Sequence, residues 1–287
     1  MEIDMENCKI CCLYSGSKGN STYISAGGAN ILIDAGKSAK SLCLALAEIG
    51  VDVDSLDAIF ITHEHNDHIS ALRTLSHKHK IPIHMLLSSA RVFDGLCDEK
   101  LCNCLTLYKG NEFETKIKGL TIKAFATPHD SRGSVGYRLS FDCSGENLSI
   151  VYATDTGYVT DVMTNNALGC FAAVIESNHD VEMLMNGPYP YELKQRIRSK
   201  HGHLSNSDCA TLAANLAEHG TKHILLAHLS EENNDPNLAY NEVLSAIADT
   251  SVNLMVASQY EPVWLLGGSS DATDIPKEEL LWQPSDL

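Results

Sequence analysis

The stretch ITHEHNDHI, residues 61–69, decides how the rest of the sequence is interpreted. It places His63, His65, Asp67 and His68 within six positions, directly after the apolar run AIFI. On an extended backbone His63 and His65 point to the same side, whereas the adjacent Asp67 and His68 share a direction only if the chain turns. Imidazole and carboxylate are usual zinc ligands and also accept iron or manganese. The spacing predicts two divalent metal ions side by side, one at each pair; the alternative is a histidine-rich surface loop.

Three further candidate ligands each follow a predicted strand. His129 comes after AFATP, Asp155 comes after SIVYA, and His228 comes after HILLA. Taken singly, an Asp after a strand is more often a helix cap, and a lone His is more often a core or surface residue. Strand ends that converge on one edge of a sandwich form sites, so the set of motifs predicts one shared metal centre.

The composition is that of a globular chain. The sequence has 287 residues, of which 44% are hydrophobic, enough for one large domain or two small ones. No apolar run approaches the roughly 20 residues of a membrane span, and the stretch MEIDMENCKICC lacks an export-signal pattern. We therefore expect a cytoplasmic protein without a membrane partner. Its ten scattered cysteines are expected to be reduced.

The order of predicted elements indicates the fold. STYISA (21–26) and NILIDA (30–35) are joined by a Gly-Gly pair, which is a hairpin signal. The middle of the chain, 105–153, is rich in β-like runs, and helices and strands alternate after it. Two β-rich halves with interleaved helices predict an α+β fold, a four-layer αββα sandwich. We expect one hydrolase domain over 1–268 and a mobile acidic tail over 269–287.

The charge is strongly negative but unevenly spread. A net charge of −16 argues against a nucleic acid partner, because phosphate binding normally uses a basic surface. The stretch YELKQRIRSKHGH (191–203), however, sets four cations against one acid: Lys194, Arg196, Arg198 and Lys200 against Glu192. This run predicts contacts to a nucleic acid backbone, or alternatively a solvated helix face. Two divalent cations would add a positive field of their own.

Several motifs together carry a family resemblance. The series HEHNDH, HD…GY, ATDTG and LAHLS is similar to the motifs of the metallo-β-lactamase superfamily. More narrowly, the sequence resembles the YycJ/WalJ branch over about 12–230. The segments that carry this resemblance are SGSKGNSTYI, ILIDAG, ITHEHNDHI, ATDTGYV, ESNHD and GHLSN. The resemblance implies the αββα fold. It also implies two metal positions, held by His63, His65 and His129 and by Asp67, His68 and His228, with Asp155 bridging them.

The resemblance further implies an activity. Members of the branch are described as 5′-to-3′ exonucleases that act on duplex DNA in repair, so DNA is the implied partner. The residues alone lead only to a two-metal hydrolase. They leave open a hydrolase of a small ester, thioester or cyclic nucleotide, and a non-catalytic metal-binding regulatory module.

Three residues are predicted to perform the chemistry. A water shared by two cations becomes a hydroxide near neutral pH, and Asp67 would both bind metal and orient that hydroxide. His203 of GHLS would protonate the leaving oxygen, and Glu176 of ESNHD would hold its far nitrogen. The alternative is that Glu176 and His203 are structural partners.

Four further residues are candidates for contacts around the site. His179 and Asp180 either orient the metal ligands or cap a helix after the strand FAAVIES. The loop SGSKGNS (15–21), with Ser17 and Asn20, either cradles a phosphate or forms a tight turn without a ligand.

Overall fold

Two β-sheets form the centre of the molecule. A computed structural model of the chain describes residues 8–92, 98–248 and 251–268. The first sheet has the order β14-β1-β2-β3-β4-β5-β6, with strands numbered along the chain: β1 Lys9–Tyr14, β2 Ser21–Ala26, β3 Ala29–Ile33, β4 Ala58–Phe60, β5 Ile83–Leu86, β6 Leu105–Tyr108 and β14 Val263–Leu266. The second sheet has the order β13-β12-β11-β10-β9-β8-β7: β7 Phe113–Ile117, β8 Leu120–Ala126, β9 Val135–Cys143, β10 Glu146–Ala153, β11 Ala172–Glu176, β12 His223–Ala227 and β13 Asn253–Val256.

Helices connect the strands in both halves. The N-terminal half contains α1 Ala39–Glu48, α2 Asn66–Ile69, α3 Leu72–His79, α4 Leu87–Ala90 and α5 Glu99–Cys102, with a 3-10 turn at Val53–Ser55. The C-terminal half contains α6 Asp161–Ala167, α7 Val181–Asn186, α8 Tyr191–Ile197, α9 Asn206–Glu218 and α10 Pro236–Ala246.

Three apolar clusters separate the layers. One cluster lies between the sheets and joins side chains such as Ile31 and Phe60 to Tyr137. A second packs α6, α9 and α10 on the outer face of the second sheet, and a third packs α1 and α3 on the outer face of the first. Each sheet therefore buries both faces, and the predicted αββα sandwich is confirmed.

Strand direction places the polar groups. Strands β3 to β6 run parallel in the first sheet, and β10 to β13 run parallel in the second. The carboxyl ends of parallel strands lie at one edge of a sheet, where α/β proteins place their sites. The histidine motif follows β4, Asp155 follows β10 and His228 follows β12, and Glu176 is the last residue of β11. Both sheets thus contribute polar groups from their strand ends.

The hairpin turn and the turn inside the histidine motif can be compared with their predictions. The two-residue hairpin turn is confirmed, since Ala26 pairs with Ala29. Two helices follow the first histidines: α2 begins inside the motif at Asn66, and α3 begins at Leu72. Helical geometry at 66–69 supplies the turn that Asp67 and His68 required. The proposed tail, 269–287, lies outside the described residues, and the domain limits stay a prediction.

Two expectations about the surroundings can be compared with the described residues. None of their nine cysteines forms a disulfide bond. Burial, with a smaller contribution from Cys143, raises the pKa of Cys8 to about 12, and burial likewise raises that of Cys209 to about 12. These two thiols therefore stay protonated at neutral pH. No helix in the described part of the chain has both the length and the apolar character needed to cross a membrane.

Candidate metal centre

Three residues of the site have an unusual backbone conformation. Asp34 follows β3, Asp155 follows β10 and His228 follows β12, and their φ angles are 62°, 55° and 57°. Side chains other than glycine rarely adopt this left-handed region, and such residues cluster at functional sites. At each position the backbone leaves the strand sharply, and the side chain turns toward the sheet edge.

His63, His65 and His129 form the first half of the cluster. One ring nitrogen from each lies within 4.8 Å of the others. Nε2 of His129 is 3.4 Å from Nδ1 of His65. Burial, together with the neighbouring imidazoles of His68 and His129, holds the pKa of His63 well below its usual range. The neutral ring keeps a lone pair, as a metal ligand requires.

Asp67, His68 and His228 form the second half. Oδ2 of Asp67 is 3.4 Å from Nε2 of His68 and 3.8 Å from Nε2 of His228. Burial lowers the pKa of His68, but the Asp34 and Asp155 carboxylates outweigh burial and hold it well above its usual range. The same opposition raises the pKa of His228 to about 10. Carboxylates therefore set the electrostatics of this half, unlike those of the first.

Asp155 lies between the two halves. Its Oδ2 is 3.4 Å from Nε2 of His68, and its Oδ1 is 3.5 Å from Nε2 of His228. Oδ1 is also 3.7 Å from Nε2 of His129. One carboxylate thus reaches ligands of both halves, which is the position of a bridging group.

The burial of polar atoms tests whether cations fit here. Nε2 of His63, Oδ2 of Asp155 and Nε2 of His228 are buried and have no hydrogen-bond partner. Asp155 and Glu176 are buried carboxylates, and neither pairs with a lysine or arginine among the described residues. Unpaired buried charges and unsatisfied polar atoms cost free energy unless a partner is supplied. Divalent cations satisfy both needs, so this donor set fits metal ions.

The far ring nitrogens bind different partners in the two halves. In the first half, Nδ1 of His129 donates to the Gly202 carbonyl at 3.2 Å, and Nδ1 of His63 is 3.0 Å from Oγ1 of Thr62. In the second half, Nδ1 of His68 is 2.8 Å from Oδ2 of Asp34. These contacts hold the imidazoles in the orientation that directs their other nitrogens toward a metal.

Asp34 is a site residue that the motif analysis did not assign. It is fully buried, and its carboxylate also accepts from the Thr62 backbone N–H at 2.8 Å and from Thr62 Oγ1 at 2.9 Å. The signal in the sequence is the acid directly after β3, in ILIDAG. Its partner His68 is 34 positions further along the chain, so only the folded sheet brings them together.

Glu176 contacts both His203 and His228. Its Oε1 accepts from Nδ1 of His203 at 2.7 Å and from Nδ1 of His228 at 3.0 Å. Its Oε2 accepts backbone N–H groups of Thr156 and Leu204. Four donors hold this buried carboxylate, so the pairing with His203 is present as predicted, and Glu176 also orients a candidate ligand.

The two residues after the ESN triplet have separate environments. Asp180 caps α7, since its Oδ1 accepts from the Met183 N–H at 2.7 Å; this supports the helix-cap interpretation. His179 is buried, and its ring makes no hydrogen bond within the described residues. Among the described residues neither side chain hydrogen bonds to a candidate ligand, and a role of His179 in orienting the ligands stays a prediction.

The loop 15–21 is a scaffold for the second half. Asn20 is buried, and its Nδ2 lies 3.2 Å from Oδ2 of Asp67 and 3.0 Å from Nε2 of His68. Ser15 Oγ accepts from the His228 N–H. Ser17 is exposed at the loop tip. Asn20 thus acts on ligand position rather than lying free to bind a phosphate.

The basic stretch separates into buried and exposed cations. Lys194 is buried, and its Nζ donates to the carbonyls of Met185 and Gly187, both at 2.8 Å. Lys194 was predicted to contact a nucleic acid backbone. Its ammonium group instead binds carbonyls at the end of α7, so it does not belong to a surface that binds phosphates. Arg196 is exposed and pairs with Asp130, next to His129, at 2.7 Å. Arg198 is also exposed.

Comparison with known proteins gives consistent matches. The family model described as a beta-lactamase superfamily domain matches residues 29–229. An exodeoxyribonuclease WalJ of Streptococcus pneumoniae strain D39 is 37% identical over 252 residues, which cover 86% of this chain and 91% of the relative. An exodeoxyribonuclease YycJ of Bacillus anthracis is 34% identical over 237 residues, which cover 83% of this chain and 88% of the relative.

Solved structures share the architecture. The metallo-β-lactamase fold protein YhfI of Bacillus subtilis superposes with a TM-score of 0.65 at 18% identity, over 89% of this chain and 99% of its own. The short form of human tRNase Z superposes with a TM-score of 0.58 at 16% identity, over 90% of this chain and 99% of its own. At this identity the likeness concerns the fold alone.

Proposed function

The chain belongs to the beta-lactamase superfamily, and on that premise we propose that it is a two-metal hydrolase that cleaves phosphodiester bonds in DNA as an exonuclease. The observation that carries the proposal is the convergence of seven candidate ligands in one largely buried cluster with unsatisfied donor atoms. The names of the two curated relatives support the exonuclease class.

The proposed metal positions follow the two halves of the cluster. His63, His65 and His129 would hold one divalent cation. Asp67, His68 and His228 would hold the other, and Asp155 would contact both. Zinc, manganese and iron all suit imidazole and carboxylate ligands. Such cations lower the pKa of a bound water and offset the charge that develops on a phosphoryl group.

The proposed roles of the other groups follow from their contacts. Asp67 is the ligand whose carboxylate is partly open to solvent, a quarter exposed, and His228 and His68 hold its pKa well below the usual range, so it can accept a hydrogen bond from the nucleophilic water and orient it. His203 has Nδ1 bound to Glu176 and a side chain that is 23% exposed, beside His129 and His228. Its other nitrogen is then available to protonate the leaving oxygen.

The exposed cations near the cluster suit a phosphate backbone. Asp130 N–H donates to the His201 carbonyl, which ties the segment after α8 to the residue next to His129. Arg196, Arg198 and Lys200 therefore lie on a segment attached to the first half of the site. They offer local positive charge although the whole chain is acidic. Cleavage in the 5′-to-3′ direction, duplex DNA as substrate and a cytoplasmic location remain part of the proposal.

The decisive experiment uses the purified, metal-loaded chain with end-labelled DNA and RNA. Duplex and single-stranded forms, labelled at either end, are compared by product length over time. We expect release of mononucleotides or short products from the 5′ end of duplex DNA. Internal cleavage, or no cleavage of any nucleic acid, would contradict the exonuclease.

A small ester, thioester or cyclic nucleotide is the second candidate substrate, favoured by the net charge of −16. Exchange of Arg196 and Arg198 for Gln separates the two. For DNA, the double variant should raise the KM and flatten its salt dependence, because phosphate contacts release counterions. Hydrolysis of bis-p-nitrophenyl phosphate should change little. Salt-independent DNA binding would favour the small substrate.

A further inference from the structure

Tyr158 is an exposed aromatic side chain close to the cluster. It lies three residues after Asp155, and its side chain is 44% exposed. Three residues span at most roughly 11 Å even when fully extended. The backbone of Tyr158 therefore lies near that of Asp155, and Gly157 N–H is bonded to the carbonyl of Pro128, the residue before His129. The proposed function gives the ring no role.

The turn that carries Tyr158 is held rigidly. Thr156 N–H donates to Glu176 Oε2 at 2.8 Å, and Gly157 N–H donates to the Pro128 carbonyl at 2.8 Å. Thr156 Oγ1 donates to the Tyr158 carbonyl at 3.0 Å. Gly157 packs so closely on Lys200 that an added Cβ would lie 2.3 Å from its carbonyl carbon. The backbone that carries the ring thus has a defined position relative to the cluster, as the support of a substrate-positioning group needs.

The surroundings of the ring have a cationic side and a concave side. Nζ of Lys200 lies over the ring, 5.9 Å from its centroid. The ring also lines a cavity of about 300 Å³ between α6 and α9, together with Thr164, Asp208 and Leu212. Small-molecule sites occupy roughly 300–1,000 Å³, so this cavity suits one flat ring system rather than a longer segment.

The charge of the cavity selects between parts of a nucleotide. The Asp208 carboxylate in the wall would repel a phosphate, whereas it accepts hydrogen bonds from neutral amino or imino groups. Lys200, on the same aromatic ring, is suited to the phosphate instead. A nucleotide would match the charges of both Asp208 and Lys200 if its base lay in the cavity and its phosphate lay near Lys200.

We propose that Tyr158 stacks against one nucleobase next to the scissile phosphate, and that the cavity between α6 and α9 receives this base. The inference rests on the proposed function and adds a base-binding subsite to it. A stacked base on an aromatic side chain tolerates any sequence, because every base has a π-face. The subsite would position the strand end without sequence readout.

The test combines protein variants with a modified substrate. Tyr158→Ala and Tyr158→Leu remove the aromatic ring, and Tyr158→Phe keeps it. Because the exposed Tyr191 begins the basic stretch 191–203, Tyr260→Ala, at a tyrosine that is 68% exposed and does not line the cavity, is the control expected to leave DNA kinetics unchanged. Each variant is assayed on duplex DNA with a normal end and on the same DNA with abasic residues at the terminal positions. Metal content and thermal unfolding confirm that each variant is folded.

Loss of one stacked base should raise the KM by roughly 5-fold to 100-fold with little change in kcat. We expect this rise for Tyr158→Ala and Tyr158→Leu on normal DNA, and not for Tyr158→Phe or Tyr260→Ala. On the abasic substrate the wild-type chain should show the same raised KM, and the two variants should lose nothing more.

Two outcomes overturn the inference alone. If Tyr158→Ala raises the KM equally for the normal and the abasic DNA, the ring acts on the fold or the cluster rather than on a base. If Tyr158→Leu keeps wild-type kinetics on normal DNA, no stacking occurs there. If the wild-type chain cleaves no nucleic acid but hydrolyses small esters, the proposed function itself is wrong, and the subsite is wrong with it.

Discussion

The two halves of the cluster use the same imidazole chemistry with different support. In the first half, the far nitrogens of His63 and His129 meet a hydroxyl and a backbone carbonyl, both neutral. In the second half, the far nitrogens of His68 and His228 meet the carboxylates of Asp34 and Glu176. A carboxylate on the far nitrogen makes the ring a stronger base and a stronger ligand.

The pKa values of the imidazoles differ in the same sense. Burial lowers the pKa of both His63 and His129, and in the first half nothing reverses it. In the second half the carboxylates outweigh burial, and the pKa values of His68 and His228 are raised. The comparison teaches that ligand type alone does not define a half-site. Asp34 contributes most to the raised pKa of His68 and Asp155 to that of His228, so the carboxylates around each ring, inside the site and outside it, decide how firmly the ring holds a proton.

The largest effect is expected where the second half is broken directly. Asp67→Ala removes a proposed ligand together with the carboxylate that orients the nucleophile. We expect kcat on DNA to fall by about 100-fold to 10,000-fold, the range of a positioned proton-handling group. Metal analysis should show loss of close to one equivalent from a starting value near two.

An exposed acid provides the control for this variant. Asp54 has a side chain that is 67% exposed and pairs with His79 on the surface. Asp54→Ala should keep both the activity and the metal content. Unchanged turnover in Asp67→Ala with full metal content would show that the proposed role is wrong.

The second prediction is that metal binding releases protons in the second half of the cluster and almost none in the first. At pH 7 the raised pKa values leave His68 and His228 protonated in the metal-free chain, whereas the lowered values leave His63 and His129 neutral. A cation must displace the protons, so the second half should release about two and bind more tightly as pH rises, by up to about 100-fold per pH unit.

Metal titration in weakly buffered solution, with proton release recorded at each equivalent, measures this difference. We expect one equivalent to bind with proton release and the other with almost none. Equal release at both equivalents would show that the halves do not differ in basicity.

The third prediction removes one carboxylate partner and leaves the ligand in place. Asp34→Asn keeps the shape of the side chain but not its charge on His68. Outer partners of this kind account for about 10-fold to 100-fold in metal affinity or activity. The affinity of the second half should fall within that range, and fewer protons should be released on binding. Asp180→Asn, which alters a helix cap away from the ligands, is the matched control.

The smallest effect is expected from the neutral partner. Thr62→Val removes the hydroxyl beside Nδ1 of His63 and, with it, one of the two hydrogen bonds that Thr62 donates to Asp34, while the Thr62 N–H still holds that carboxylate. A neutral partner contributes less to ligand basicity than a carboxylate, so the effect on either half should be small. We expect the affinity of the first half to fall by less than about 10-fold. A loss as large as that of Asp34→Asn, confined to the first half, would remove the distinction between the two kinds of support. Competition with a chromophoric chelator gives both affinities.

Local sequence was informative about elements and about individual ligand candidates. The alternation of His63 and His65 and the Ser205 cap of α9 are properties of neighbouring residues, and both could be predicted. Glu176 and His203 are 27 positions apart, and their predicted pairing is present at 2.7 Å, whereas the catalytic role of the pair stays a prediction. Local sequence was not informative about Lys194, because its carbonyl partners depend on how the chain folds back between α7 and α8.

By itself, then, the sequence determined the order of helices and strands and the polar residues at their ends, since periodicity and turn chemistry act over a few positions. The family resemblance implied a bridging position for Asp155, and the distances from its carboxylate to ligands of both halves come from the tertiary structure. Only the tertiary structure decided that Asp34 supports His68 and that Tyr158 lies beside a cavity. These contacts join strands of two sheets and helices from distant positions. Their geometry depends on sheet register and layer packing, which no short stretch of residues encodes.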